Sequence, residues 1–459
     1  MQWSRCTRTR ALMGSVISAA VVMAVGMSSP AWASPGDIDT TFGDGGRVRT
    51  DFAGNFDIAQ DVLVQPNGKI VVVGHGATGP TSDFADFALA RYTDGGDPDT
   101  SFSGDGRQRT DFGGLGDGAE AIARQDDGKF VVVGSSELAD GSTRFAVARY
   151  TTGGALDTTF SGDGKVRTSF PGFDDASASD VAVQGDGKIV VVGIVNAGGH
   201  SVRGSKGGAG TVADVAVARY KPNGSLDLTF GGDGRVTTDF AGAFDSATAV
   251  AILDSGAILV AGDSQTSVTF DQRFVAVKYL ANGTRDSAFS GDGKQVVNMV
   301  VDEAEGVAGL AVRSDGKIVI GGHATNAVSE ASGADLAVLM LKGNGDVNTA
   351  FGGGDGKAFA DFGDVEDPDA MVRQDDGRLV FVGLRPFVSG EHDQAVWVFR
   401  LTGAGAADTG FGTNGRAEVE FTDGAGGFGG TVDGSGRILA VGRVGIGNDG
   451  DFAATRLEG

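Results

Sequence analysis

One short segment recurs seven times along the chain, and it constrains the fold more than any other feature of the sequence. Its clearest copy is Ser179–Gly193, SDVAVQGDGKIVVVG, in which two apolar runs flank an Asp-Gly pair. Two β-branched runs joined in this way predict a β-hairpin with a type I′ turn, which needs positive φ at both central residues. The other copies centre on Asn67-Gly68, Asp127-Gly128, Ser255-Gly256, Asp315-Gly316, Asp376-Gly377 and Ser435-Gly436.

A phenylalanine marks each repeat, and the spacing of these residues predicts the architecture. The markers are Phe42, Phe102, Phe160, Phe230, Phe289, Phe351 and Phe411, about 60 residues apart. The third repeat has four extended segments: Ala155–Phe170, Asp180–Gln184, Lys188–Gly193 and Asp214–Tyr220. No helical periodicity separates them, so the strands of a repeat must be antiparallel. Such units predict an all-β, seven-bladed β-propeller with the Asp180–Gln184 segment at the axis; a β-solenoid is the alternative.

The two ends of the chain are expected to meet. The seventh repeat stops after its third segment, Phe452–Leu457, whereas the chain begins with the missing outer segment at Ile38–Phe52. Because an unpaired sheet edge is avoided, the N-terminal strand should complete the last blade and close the ring. This pairing predicts that Asp39 meets Arg456 and that Thr40 lies opposite Thr455.

Residues 1–33 have the pattern of a secretory signal, and residues 34–459 are expected to form a single propeller. Three arginines precede an apolar stretch, and Ala31-Trp32-Ala33 fits a small-x-small cleavage site. An uncleaved membrane anchor is the alternative. The only cysteine, Cys6, lies within this segment, so a secreted extracellular or periplasmic domain would fold without disulfides.

The net charge of the chain limits the classes of partner that it is expected to bind. Removing the three arginines of the signal changes the formal net charge from −23 to −26. An acidic surface of this size repels phosphate backbones, which argues against nucleic acid as a partner. An extracellular protein, a glycan or a cation fits better, and a monomer without a membrane contact is expected after cleavage.

Two recurring sets of residues are best explained by packing. Tyr92, Tyr150, Tyr220 and Tyr279 share one repeat position, which leucine takes in the later repeats. A basic residue and an acid eight positions later recur as Arg91/Asp99, Arg149/Asp157, Arg219/Asp227, Lys278/Asp286 and Arg400/Asp408. The remaining internal copy has Met340 and Asn348, and this joint loss of both charges indicates a cross-strand ion pair.

The repeats also resemble a known family. The run FALARYTDGGDPDTSFSGDGRQRTDF (Phe87–Phe112), together with NGKIVVVG (Asn67–Gly74), is similar to the delta-sixty repeat of bacterial exported proteins. The resemblance covers essentially all of residues 34–459. It implies a β-propeller fold, and it brings no reaction, cofactor or catalytic residue.

No catalytic motif stands out in the sequence. Turns such as Gly104-Asp105-Gly106 hold a single acid, whereas a calcium loop needs several, so tight turns explain them better. The chain has no Cys/His metal spacing, phosphate-binding loop or serine elbow. No cofactor is predicted, and calcium is the one candidate.

An acid five residues after the end of the outer segment recurs in six repeats. These acids are Asp57, Asp117, Asp175, Asp245, Asp302 and Asp367. Two explanations stay open: a turn acid that accepts backbone N–H groups, or an acidic ring near the axis that binds a cation or a basic side chain.

The position six residues after the basic residue of the hairpin varies most, which favours ligand contact there. It is occupied in turn by His75, Ser135, Ile194, Asp263, His323, Leu384 and Arg443. His75 and His323 fall in repeats one and five, too far apart to share a metal, and each is expected to be a surface residue. The polar members His75, Asp263, His323 and Arg443 are the binding candidates. These features favour a binding module with its ligand on the loop-rich face; the alternative is a hydrolase or lyase that uses a His or an acid there.

Overall fold

The computed structural model describes residues 33–52, 56–77, 85–197, 212–240, 244–265, 271–301, 303–325, 327–328, 333–384, 395–445 and 450–459. By its contacts the chain divides into two units, Met1–Ala33 and Ser34–Gly459, and the description below concerns the second unit. None of the described residues belongs to a helix long and apolar enough to cross a membrane.

The described part of the chain is all-β, and its 28 strands form four-stranded antiparallel sets. Sets 1 and 2 contain β2 (Asp57–Val64), β3 (Ile70–Ala77), β4 (Ala85–Tyr92) and β5 (Arg107–Thr110), then β6 (Asp117–Arg124), β7 (Phe130–Glu137), β8 (Thr143–Tyr150) and β9 (Lys165–Thr168). Sets 3 and 4 contain β10 (Asp175–Val183), β11 (Ile189–Ala197), β12 (Val212–Tyr220) and β13 (Arg235–Thr238), then β14 (Phe244–Ile252), β15 (Ile258–Gln265), β16 (Gln272–Tyr279) and β17 (Lys294–Val297). Sets 5 and 6 contain β18 (Glu305–Val312), β19 (Ile318–Thr325), β20 (Ala334–Leu341) and β21 (Lys357–Ala360), then β22 (Pro368–Arg373), β23 (Leu379–Leu384), β24 (Ala395–Leu401) and β25 (Arg416–Glu420). Set 7 contains β26 (Ala425–Val432), β27 (Ile438–Val444), β28 (Asp451–Leu457) and, from the other end of the chain, β1 (Arg47–Thr50).

In sets 1 to 6 the strands lie side by side in chain order, whereas in set 7 strand β1 takes the fourth place, beside β28. Neighbouring sets contact each other through their first strands. A single parallel bridge, Ala213 to Phe244, also joins sets 3 and 4. We call the first strand of each set its inner strand and the fourth its outer strand. The inner strands contact each other in the order β2, β6, β10, β14, β18, β22, β26, and β26 in turn contacts β2.

The N-terminal strand pairs with the last strand of the chain, as the sequence predicts. Strand β1 is antiparallel to β28, and the Arg456 side chain donates to the Asp39 carboxylate at 2.7 Å. The predicted opposition of Thr40 and Thr455 is wrong, because Arg47 lies opposite Thr455. The chain turns away after Asp39, whose carboxylate accepts the Thr41 N–H at 3.0 Å, and it returns to β28 at Gly46 and Arg47.

The predicted hairpins are confirmed, but their turn type differs from the prediction. In the third copy the Gln184 N–H donates to the Lys188 carbonyl and the Gly187 N–H donates to the Gln184 carbonyl, both at 2.8 Å. Gly187 has φ of 80°, whereas Asp186 is not among the residues with positive φ. This is a type I turn followed by a left-handed glycine, and it suits Asp186, whose side chain accepts the Lys188 N–H at 3.1 Å.

The predicted ion pairs are confirmed, and they tie neighbouring repeats together. The Arg149 guanidinium donates to Asp157 at 2.8 Å and lies over the ring of Phe160, 4.7 Å from its centroid. The same guanidinium donates to the Pro222 carbonyl of the next repeat. Arg91/Asp99, Arg219/Asp227, Lys278/Asp286 and Arg400/Asp408 also pair, at 2.6 to 3.0 Å.

The core lies between adjacent sets. One apolar cluster joins Val133 and Phe145 of set 2 to Val191 and Tyr220 of set 3. The recurring phenylalanines are all buried, and so are the four tyrosines. The Tyr220 hydroxyl donates to Thr168 on the outer strand of the preceding set at 2.7 Å, so this position packs between sets as predicted.

Candidate functional site

A cavity of about 1110 Å³ lies where the inner strands come together. Its walls come from the first halves of the inner strands and from the ends of the second strands, for example Ile58 on β2 and Asn196 on β11. All seven sets contribute at least one side chain. The cavity therefore lies on the side that the sequence predicts for the ligand, the side of the loops between second and third strands.

A β-bulge in every inner strand supplies one residue to the cavity wall. The register shifts between Ala59 and Asp61 in β2, for instance, so Gln60 has no partner in the ladder with β3. The seven residues at the bulges, which we call the bulge ring, all line the cavity: Gln60, Glu120, Ser179, Thr248, Ala308, Asp369 and Phe428. Because a bulge redirects a side chain, the ring can carry seven different residues without disturbing the hairpins.

The described wall of the cavity is acidic. Six carboxyl side chains line it, and no Lys or Arg is among the described lining residues. The carboxyls belong to Asp61, Glu120, Asp180, Asp263, Glu305 and Asp369. Three phenylalanines, Phe56, Phe244 and Phe428, add aromatic surface.

Two of these carboxyls lie half-buried between neighbouring inner strands. Asp61 accepts the Ile122 N–H of the next set at 2.9 Å, and Asp180 accepts the Val250 N–H of its next set at 2.7 Å. Removal from water raises the pKa of Asp61 to about 6 and that of Asp180 to about 7, although the backbone hydrogen bonds act to lower both pKa values. The charge of the wall therefore changes across the neutral pH range.

Both candidate histidines lie in the cavity wall beside an acid from the next set. Nε2 of His75 is 3.1 Å from Oε1 of Glu120, and Nδ1 of His323 is 2.9 Å from Oδ1 of Asp367. The expectation that they are surface residues is wrong, because His75 is 9% exposed and His323 is 8% exposed. They are buried because their rings pack on glycines, Gly118 for His75 and Gly306 for His323.

The other members of the variable position also reach toward the next set. Oδ1 of Asp263 accepts the Val307 N–H at 2.8 Å, and this carboxyl lines the cavity. The Arg443 guanidinium lies over the ring of Phe56, 4.9 Å from its centroid, and is not among the lining residues. The four candidate residues at the variable position thus contact the next set, and three of them also line the cavity.

The five recurring acids that the structure describes do not lie together around the cavity. Asp57 accepts the Phe52 N–H at 2.7 Å, Asp117 the Phe112 N–H at 2.7 Å, and Asp245 the Phe240 N–H at 2.6 Å. Asp175 accepts the Thr143 N–H at 2.8 Å. Each is buried and none lines the cavity, which agrees with the backbone-capping explanation.

In the fifth and sixth repeats the capping acid is not the predicted one. Glu305 takes this role by accepting the Val300 N–H at 2.6 Å, whereas Asp302 lies outside the described residues. In the next repeat Glu366 is buried and accepts the Asp364 N–H at 3.2 Å, whereas Asp367 is half-exposed beside His323. Both replacements are glutamates at a changed spacing: Glu305 follows Val297 by eight residues and Glu366 follows Ala360 by six, whereas Asp117 follows the equivalent Thr110 by seven.

Comparison with a family model agrees with the repeat structure. Four segments match a model described as "Domain of unknown function (DUF5122) beta-propeller": residues 65–102, 125–160, 184–230 and 313–351. Each segment runs from the hairpin of one repeat to the phenylalanine that marks the next. The matches indicate a β-propeller domain of unknown function.

The solved structures that match the chain are distant from it in sequence. A catalytically inactive virginiamycin B lyase from Staphylococcus aureus with quinupristin is 11% identical; the match covers 89% of this chain and 98% of that chain, with a TM-score of 0.45. An ulvan lyase of a new polysaccharide lyase family is 11% identical over 88% and 95% of the two chains, with a TM-score of 0.47. The polysaccharide lyase Uly1 is 10% identical over 87% and 89%, with a TM-score of 0.48. No curated protein matches the chain significantly, so no reaction or ligand is carried over.

Proposed function

We propose that this chain is an exported, seven-bladed β-propeller of the delta-sixty type, closed by β1, and that its axial cavity binds a small organic cation. The observation that carries the proposal is the composition of the wall, six carboxyls and three phenylalanines without a described Lys or Arg. A cleft lined by charge of one sign concentrates ligands of the opposite sign. A neutral glycan would gain nothing from that charge.

The aromatic side chains favour an organic cation over a bare metal ion at this place. A cation over the face of a phenylalanine ring is stabilised by about 0.5–2 kcal/mol. Phe56 already has one such contact within the chain, from the Arg443 guanidinium at 4.9 Å. Phe244 and Phe428 offer further rings at the same cavity. The carboxyls can pair with the charge of a ligand, and the rings can pack against its apolar part. This combination suits an alkylamine or a quaternary ammonium group.

Titration calorimetry with choline, agmatine and spermidine, and with glucose and acetate as non-cationic probes, tests this proposal. We expect heat of binding only from the cations. Asp369→Asn removes one exposed carboxylate of the bulge ring and should weaken cation binding about tenfold, which corresponds to about 1.4 kcal/mol.

Asp376→Asn is the matched control for this test. Asp376 belongs to the same repeat but caps the hairpin turn, where it accepts the Arg378 N–H at 3.0 Å, a bond that asparagine can also accept. The control should leave binding unchanged. Equal effects of the two substitutions, or no binding by any cation at millimolar concentration, would contradict the proposal.

A second candidate function rests on the pairing of His75 with Glu120. A histidine within 3.1 Å of a carboxylate on a cavity wall could act as a general base in a hydrolase or lyase. Mass spectrometry of the ligand after incubation separates the two functions. Unchanged ligand favours the binding module, whereas a product that forms with the wild type and not with His75→Gln favours the enzyme.

A further inference from the structure

The seven sets do not contribute the same chemistry to the cavity wall. Each of sets 1 to 6 supplies one of the six lining carboxyls, from Asp61 in set 1 to Asp369 in set 6. The described residues of set 7 that line the cavity are Phe428, Gly429 and Gly430, and none of them carries a charge. One side of the wall is therefore apolar.

Phe428 is the one aromatic residue of the bulge ring. Five of the other positions hold a polar residue and the sixth holds alanine: Gln60, Glu120, Ser179, Thr248, Asp369 and Ala308. A residue that the packing of a hairpin requires would recur in every set, as the buried markers Phe160 and Phe411 do. The repeated fold therefore does not account for a phenylalanine at this place.

The side chain of Phe428 lines the cavity and is not part of the core between sets. It is partly exposed, and it belongs to none of the apolar clusters that the described buried residues form. Its strand, β26, reads AGGFGGTV and has glycine on both sides of it. The ring extends over Gly426, with Cζ 3.7 Å from the place that a Cβ of that residue would take. Phe428 thus adds the surface of its ring to the wall.

The charges around set 7 favour one orientation of a cationic ligand. Strand β26 contacts β2, whose Phe56 extends the apolar side of the wall. The Arg443 guanidinium of set 7 lies over the Phe56 ring, 4.9 Å from its centroid, and would repel an ammonium group on this side. The Asp61 carboxylate, also on β2, is directed to set 2, where it accepts the Ile122 N–H. The ammonium group is therefore expected among the carboxyls, and the apolar part of the ligand against Phe428.

The size of the cavity also favours a ligand with an apolar part. Its volume of about 1110 Å³ lies just above the range of about 300–1,000 Å³ in which pockets for drug-sized ligands usually fall. A compact cation such as choline could pair with a carboxyl, but it would leave most of the wall in water, including the Phe428 ring. Covering that ring with apolar groups is favourable, because it removes apolar surface from water.

We infer that the preferred ligand of the cavity is an arylalkylamine, an ammonium group joined by a short linker to an aromatic ring, and that Phe428 selects it by packing against that ring. Two aromatic rings gain from offset-stacked or edge-to-face contact in addition to the area that they bury. This inference rests on the proposed binding of organic cations and specifies the class of cation.

Titration calorimetry with ethylamine and 2-phenylethylamine tests the inference. The two amines carry the same ammonium group and linker and differ in the phenyl ring, so the ratio of their affinities removes the contribution of the charge. We expect the wild type to bind 2-phenylethylamine about tenfold more tightly than ethylamine. In Phe428→Ala, which introduces the residue that Ala308 provides at the equivalent position of set 5, the ratio should fall to about threefold or less.

Two further variants separate selection by the ring from a general effect on the fold. Phe428→Tyr keeps an aromatic ring and should keep the ratio close to its wild-type value. Phe421→Ala is the matched control, because Phe421 precedes β26, packs under the Arg47 guanidinium at 5.7 Å and is not among the lining residues. It should leave the ratio unchanged.

The inference is overturned if the wild type binds the two amines with equal affinity, or if Phe428→Ala keeps the wild-type ratio. A ratio that falls as much in Phe421→Ala as in Phe428→Ala would overturn it too. In each of these cases the amines still bind, so the proposed organic-cation site stands. Binding of neither amine at millimolar concentration would instead contradict the proposed function and this inference together.

Discussion

At the scale of single residues, the recurring arginine, acid and phenylalanine hold one another in place, as Arg149, Asp157 and Phe160 do. Arg149 and Phe160 follow from recurrence alone, because each set faces the same packing problem. His75 and His323 were expected at the surface, since the sequence does not show that a glycine faces each ring. The five-residue spacing leads to Asp302 only if Val297 takes the place of the phenylalanine after the outer strand, whereas Val297 pairs with Phe274 as Thr110 pairs with Phe87.

Asp61 and Asp180 give the cavity a pH dependence. Burial raises their pKa values to about 6 and about 7, so both are largely protonated at pH 5 and ionised at pH 8. These two charges, together with the partial charge that Glu305 gains because burial raises its pKa to about 8, should strengthen binding of an organic cation about tenfold or more from pH 5 to pH 8. Calorimetry with choline across this range measures the change, and an affinity that stays constant would contradict the assignment.

The same two residues should affect stability in the opposite direction. A carboxyl whose pKa is higher in the native state than in the unfolded chain holds its proton more tightly when folded. Its contribution to the free energy of unfolding is therefore largest below pH 4 and decreases as the pH rises toward 7. If the protein began to unfold at high pH, the measured affinity would fall, which is opposite to the gain predicted for the folded protein. Urea denaturation at each pH measures the free energy of unfolding and so separates the two effects.

At the scale of elements, the hydrophobic pattern predicts the strands and the hairpins, but the bulges are not among the predictions of the sequence analysis. The signal is present: the buried residues Ala59 and Val62, like Ala178 and Val181, are three positions apart, whereas an uninterrupted strand repeats every two. The extra residue in each interval belongs to the bulge ring. The turn type is also not apparent from the sequence, because Asp-Gly suits several types of turn. The hydrogen bond that the Asp186 side chain accepts from the Lys188 N–H favours the type I turn.

The ion pair between Arg149 and Asp157 predicts a non-additive pair of substitutions. Both residues are buried. Burial acts to raise the pKa of Asp157, but the hydrogen bonds from Thr159 and the charges of Lys129 and Arg149 outweigh this effect and hold that pKa at about 2. Asp157→Asn alone should cost about 3–5 kcal/mol, because it leaves a buried charge without its partner.

Adding Arg149→Met to Asp157→Asn reproduces the combination that the chain itself uses at Met340 and Asn348. The double variant should therefore be destabilised by at least 1 kcal/mol less than the sum of the two single variants. Urea unfolding of the four proteins in the cycle measures this difference. Simple additivity would show that the two charges do not interact in the folded protein.

At the scale of the whole molecule, the axial cavity depends on how the last set is completed. The cavity takes lining residues from all seven sets, including Phe428 on β26 and Ile58 on β2. The contact of β26 with β2 and the pairing of β1 with β28 are what bring these residues together. The sequence predicts this arrangement because the missing outer strand of the seventh repeat is found at the start of the chain. It does not predict the size of the cavity, which depends on the bulges.

A cysteine pair across β1 and β28 tests this closure most directly. Arg49 and Ala453 lie directly opposite each other, and the chain after residue 33 has no cysteine of its own. A disulfide needs Cα atoms within about 7 Å, which directly opposed residues of antiparallel strands satisfy. Arg49→Cys combined with Ala146→Cys is the control, because Ala146 has the same place in set 2 and pairs with Arg167 instead. We predict that oxidation of the monomer forms the disulfide in the Arg49→Cys/Ala453→Cys variant and leaves the control reduced. Free thiols that persist in the test pair, or equal cross-linking in both, would contradict a propeller closed by its N-terminal strand.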